Sequence, residues 1–98
     1  MEKADDSFYN RADEHLNLSN KQLEHESIGK VCASMMYSVA RFNAWVSACG
    51  WDNGTEMGSS KKETLDYFVN EYRKMLEENL DDYIENFDDY MKRDNYSN

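Results

Sequence analysis

SIGKVCASMMYSVARFNAWVSACG, residues 27–50, is the stretch whose reading decides the fold. Ile28, Cys32, Met35, Val39, Phe42, Val46 and Cys49 follow one another at steps of 4, 3, 4, 3, 4 and 3. That spacing is a heptad seam, the pattern of side chains that interlock as knobs in the holes of a facing helix. Val31, Met36 and Trp45 widen the seam, and Ala33, Tyr37, Ala40, Ala44 and Ala48 line the opposite side. A helix apolar on nearly all sides is normally buried. The small residues invite a further backbone, so the pattern points to a homodimer.

Working outward, Gly50 suits a left-handed C′ position, with Trp51 folding back on Val46. Residues 52–59, DNGTEMGS, read as a polar loop turning at Asn53-Gly54. Ser60 and Glu63 form a capping-box pair that opens a long helix with Leu65, Phe68, Tyr72, Leu76, Leu80 and Tyr83 along one side. Leu65, Leu76 and Phe87 recur every 11 residues, which favours a straight helix over a left-handed supercoil. Such a helix overhangs a 24-residue neighbour, so it either bends near Asn79 or is covered by a second subunit, and the second is preferred. Toward the N-terminus, Phe8, Ala12, Leu16 and Leu23 give a weaker helical stripe, preceded by Asp5 and Asp6 as cap and dipole partners.

The fold expected is therefore all-α: one domain, a three-helix bundle with a long C-terminal helix. Its helices fall at about 5–24, 27–50 and 60–92, with a disordered tail at 94–98. The chain has 98 residues, no proline and four glycines, which leaves little punctuation for strands and turns.

Charge narrows the function. Eleven Lys and Arg stand against 20 Asp and Glu, a net of −9, which disfavours nucleic acid and anionic membrane as partners. Residues 31–49 carry one charge, Arg41, and a mid-span Arg costs roughly 2.5–3.5 kcal/mol on membrane-insertion scales, against a spanning helix. The polar, acidic start lacks the basic and apolar parts of an export signal. Cys32 and Cys49 lie ~25 Å apart along one helix, beyond disulfide reach within the chain. Together these favour the cytoplasm.

Residues 77–94 hold eight acids and two bases. Glu77/Asp81, Glu78/Asp82, Asp81/Glu85 and Glu85/Asp89 are like-charged pairs one turn apart, each destabilising by ~0.2–0.5 kcal/mol. This segment reads as a solvated anionic face, or as a docking surface for a basic protein.

Catalytic and cofactor patterns are absent from the sequence. His15, His25, Cys32 and Cys49 have no metal-ligand spacing, and there is no Glu-x-x-His, nucleophile elbow, phosphate loop or EF-hand. No catalytic residue, cofactor or metal is assigned, and the chain reads as a non-enzyme. The binding or interface candidates are Arg41, Asn43, Tyr83 and Phe87. Arg41 suits a bidentate ion pair or, alternatively, a carboxylate or phosphate ligand. Asn43 flanks the seam, where an amide fixes register. Tyr83 and Phe87 lie on the overhang. Two functions follow: an interaction or adaptor protein using the acidic helix or a dimer groove, and a small-ligand or metal-binding protein centred on Arg41.

The runs KVCASMMYSVARFNAWVSA (30–48), KKETLDYFVNEYRKMLEENLDDYIENFD (61–88) and RADEHLNLSNKQ (11–22) resemble a family of small acidic bacterial proteins known only as a domain of unknown function. Residues 40–44 and 81–83 carry the likeness most strongly. The resemblance implies a bacterial origin and a helical protein, and it brings no activity, cofactor or site residue with it.

Overall fold

A computed structural model describes residues 5–92, and the expected tail at 94–98 lies outside them. The described residues form five helices and no strand: α1 (Asp6–Gln22), α2 (Ile28–Ala48), α3 (Gly54–Ser59), α4 (Lys61–Glu85) and α5 (Phe87–Met91). The chain divides into two units, Met1–Val46 and Ser47–Asn98.

In the first unit Asp5 is extended (φ −138°, ψ −176°), and its Oδ1 accepts the Phe8 N–H at 2.9 Å. That cap satisfies one of the free amides of the first turn, and Asp6 adds a negative charge to the positive end of the helix dipole. α1 loosens into turns in which Glu24 and His25 donate to carbonyls three residues back. Ser27 then starts α2, its Oγ accepting the Lys30 N–H at 3.3 Å. The shielded side of α2 runs through Val31, Met35 and Asn43, but only Val31, 7% exposed, is a buried hydrophobic residue among those described.

The end of α2 departs from expectation. No glycine has a positive φ, so Gly50 makes no left-handed cap. The Gly50 and Trp51 amides instead donate to Ser47 and Ala48 at 3.0 and 3.1 Å, tightening the last turn into 3₁₀ geometry.

The second unit corrects the loop and the single long helix expected at 60–92. Residues 54–59 are a helix, not a polar turn, because Asn53 is extended (φ −159°, ψ 170°) and its Oδ1 caps the Glu56 N–H at 2.9 Å. The Glu56 carboxylate accepts from Asn53 Nδ2 at 3.2 Å, so Asn53 and Glu56 make the reciprocal pair that Ser60 and Glu63 were expected to make. Ser60 ends α3 and starts α4 with φ −107° and ψ 11°, and makes no side-chain cap bond. A cap needs extended backbone at that position, and the arriving helix denies it.

α4 continues through Asn79, whose amide donates to the Met75 carbonyl at 2.7 Å, and stops at Asn86 (φ −112°, ψ 28°). α4 packs against its sequence neighbours α3 and α5. The all-α class stands, but five helices replace the three expected, and the simple three-helix bundle is not what these units form.

Candidate functional site

The seam on α2 was expected to be consumed in the interior, and it is not. Ile28 is 78% exposed and Phe42 62%, and Val39, Val46, Cys32 and Cys49 are exposed as well; only Met35 is half-buried. The cause lies in the supply of apolar side chains. α1 has 17 residues and a sparse stripe, and its own Leu16, Leu18 and Leu23 remain exposed. Each unit by itself therefore leaves its apolar faces at least this open.

Phe42 and Trp45 lie side by side on that face, ring centres 5.6 Å apart and tilted by 33°. Ser38 Oγ donates to the Ser34 carbonyl at 2.9 Å, which satisfies a hydroxyl on an otherwise apolar surface. α2 contains no acid, and its two bases are Lys30 and Arg41. Lys30 sits 3.7 Å from Glu26 on the surface. Arg41 is exposed and takes part in none of the ion pairs Lys30–Glu26, Lys62–Asp66 and Lys74–Glu71. Asn43 is half-buried on the shielded side of the helix.

The acidic end has a different construction. Asp82 receives the Asn86 side-chain amide on Oδ1 at 2.9 Å and the Tyr90 hydroxyl on Oδ2 at 2.9 Å. The Asn86 amide also reaches the Asp82 carbonyl at 3.1 Å, which stabilises the break between α4 and α5. The Tyr83 and Tyr90 rings lie against one another, centres 4.6 Å apart and planes tilted by 43°. The Tyr90 phenol is pushed above its ordinary value of 10.0, first by its hydrogen bond to the Asp82 carboxylate, with desolvation and the charges of Asp82 and Asp89 adding to it. Tyr83 and Phe87, the expected overhang residues, are exposed here. Sequence reasoning missed Asp82 as the centre of this cluster. The available signal was its spacing of four to Asn86 and eight to Tyr90, which places all three on one helical face.

A shallow cleft of about 340 Å³ lies among Trp51, Ser60, Glu63, Tyr67 and Phe68, and Arg41 does not line it. No group of three or more His, Cys, Asp or Glu side chains among the described residues could hold a metal ion. No helix among them is long and apolar enough to cross a membrane. What the geometry offers is surface: an apolar helix face and an ordered anionic end.

The fold and these surfaces define a small, acidic, all-α chain. Residues 8–84 match the model of the family described as protein of unknown function (DUF3144), and the chain belongs to that family. It is also similar to the protein NB7890A from Shewanella sp., whose structure was determined by NMR. The two are 37% identical, the match covers 94% of this chain and 98% of that one, and the TM-score is 0.76. No match was found among the curated proteins.

Proposed function

We propose that this chain is a non-enzymatic interaction protein of the cytoplasm, a single domain that works as a homodimer through α2. In this reading the acidic end of α4 and α5 offers a docking surface to a basic partner protein. The observation that carries it is the exposed seam: Ile28, Val39, Phe42 and Val46 stand in water along one face of a 21-residue helix. Contiguous apolar faces of this kind mark interaction sites, and burial of one hydrophobic residue among those described contributes little stability.

The acidic end of α4 and α5 repels its like in a second chain of net charge −9, whereas α2 is the long helix that carries no acid, its charges being Lys30 and Arg41. Arg41 and Asn43 border this face, and Tyr83 and Phe87 belong to the acidic docking end. Size-exclusion chromatography with light scattering tests the reading: the expected mass is twice the 11.6 kDa of the chain. A mass of one chain that persists up to millimolar concentration overturns it.

A further inference from the structure

We propose that Asn53 is a site of spontaneous covalent modification, by ring closure onto the Gly54 nitrogen with loss of ammonia, and that the folding of α3 governs its rate.

The chemistry begins in the sequence. Asparagine is a heat-labile residue, and Asn53 is the one asparagine in the chain that is followed by glycine. Glycine has no Cβ to shield its nitrogen from the preceding side chain. The Gly54 amide gives its proton to water, and its nitrogen bonds to the Asn53 Cγ. The Cγ–Nδ2 bond breaks, and that nitrogen takes up a proton and leaves as ammonia. Water then opens the cyclic imide at either carbonyl, to aspartate or to isoaspartate. Water enters, ammonia leaves and nothing is oxidised or reduced. Asn53 and Gly54 are both exposed, so water reaches them.

The structure holds this reaction back. Closing the ring swings the Gly54 nitrogen nearly into eclipse with the Asn53 Cβ, by rotation about the Cα–C bond. At ψ 170° the nitrogen stands well out of eclipse. Both sides of that bond are tied to α3. On one side the Asn53 carbonyl accepts the Met57 N–H at 3.2 Å. On the other, Oδ1 accepts the Glu56 N–H at 2.9 Å and Nδ2 donates to the Glu56 carboxylate at 3.2 Å. Rotation has to break this cap, so the reactive chain is one in which the start of α3 has opened.

Either product damages the cap that restrained it. Aspartate keeps an acceptor for the Glu56 amide but sets a carboxylate against the Glu56 carboxylate, where a donor stood. Isoaspartate adds a methylene to the backbone and displaces the carbonyl that starts the helix. Glycine itself is not required by the fold here: Gly54 has no positive φ, and a Cβ added to it would meet nothing within 4 Å. Gly54→Ala therefore blocks the chemistry and leaves α3 in place.

Full-length protein is incubated in mildly alkaline buffer, native and in guanidinium chloride. The peptide spanning Asn53 is followed by mass spectrometry and by isoaspartyl methyltransferase labelling. Conversion is expected in denaturant, and at least about fivefold more slowly in the native chain, as the cost of opening a cap requires. Glu56→Ala removes the carboxylate that holds Nδ2 and should raise the native rate about twofold or more, with the denatured rate unchanged. Gly54→Ala should be much slower than wild type in denaturant. Equal native and denatured rates, or a native rate that Glu56→Ala leaves unmoved, overturns the control by α3. No conversion at Asn53 in denaturant, or a Gly54→Ala chain as fast as wild type, overturns the site itself.

Discussion

α2 and α4 are the two long helices, of 21 and 25 residues, and both show large apolar side chains to water. Their exposure differs in meaning. On α4, Leu80 and Ile84 are interleaved with Asp81, Asp82 and Glu85, whose hydration shells surround them. Leu65, Tyr72, Leu76, Leu80 and Tyr83 still form a stripe along one side of α4, with acids close beside it toward its C-terminal end. On α2, Ile28, Val39, Phe42 and Val46 are continuous along one face and have no acid on the helix to break them up. The two faces are equally exposed and differ in the charge around them: acids beside α4, none on α2.

The same charge placed on each of the two helices should separate them most. Phe42→Glu puts a carboxylate on the apolar face through which the chain is proposed to self-associate. It is expected to weaken self-association at least about a hundredfold, since loss of a packed Phe costs ~3–5 kcal/mol and each 1.4 kcal/mol is tenfold. Ile84→Glu, at a position 73% exposed, should leave the sedimentation profile unchanged. Dissociation by the α4 variant with an intact dimer in the α2 variant would reverse the comparison.

A smaller effect sharpens it at the other end of α4. Asn53→Ala removes the cap on Glu56 and should lower unfolding free energy in urea by about 1 kcal/mol. Ser60→Ala removes a hydroxyl with no cap bond and should change it by less than about 0.5 kcal/mol. Equal losses would restore the expected capping box.

The smallest effect concerns Tyr90. Its neutral phenol donates to Asp82, so folding favours the protonated form and raises its titration above 10.0. The bond is fully present below the unfolded value and is lost as pH rises through the folded one. Titration of the Tyr90 ring carbon by NMR should give a midpoint above 10, and Asp82→Ala should bring it back toward the ordinary value.

Periodicity made the helices and the apolar face of α2 legible in the sequence, because a 3.5-residue seam needs no tertiary information to be recognised. What covers the face was not legible: spacing identifies a side of a helix, never its neighbour, and α1 turns out to carry too few apolar residues for the task. Competing local signals account for the other departures. Asn53 opens both an Asn-Gly turn and an Asn-x-x-Glu cap, and the cap prevails. Ser60 and Glu63 have the right identities for a capping box, but α3 arrives in a backbone state that cannot use them. Gly50 could turn left-handed and does not, since two 3₁₀ bonds close the helix without it. Of the interface candidates, Arg41, Tyr83 and Phe87 are at the surface and Asn43 is half-shielded, whereas the residue that organises the acidic end, Asp82, looked like one carboxylate among eight.

The two oxygens of Asp82 hold different groups, Asn86 at the break and Tyr90 beyond it. Both bonds depend on a single rotamer, so losing either one releases the side chain that makes the other, and the two losses are coupled, not additive. One carboxylate thus ties the break between the helices to the short helix that follows it, beside the contact of the Tyr83 and Tyr90 rings.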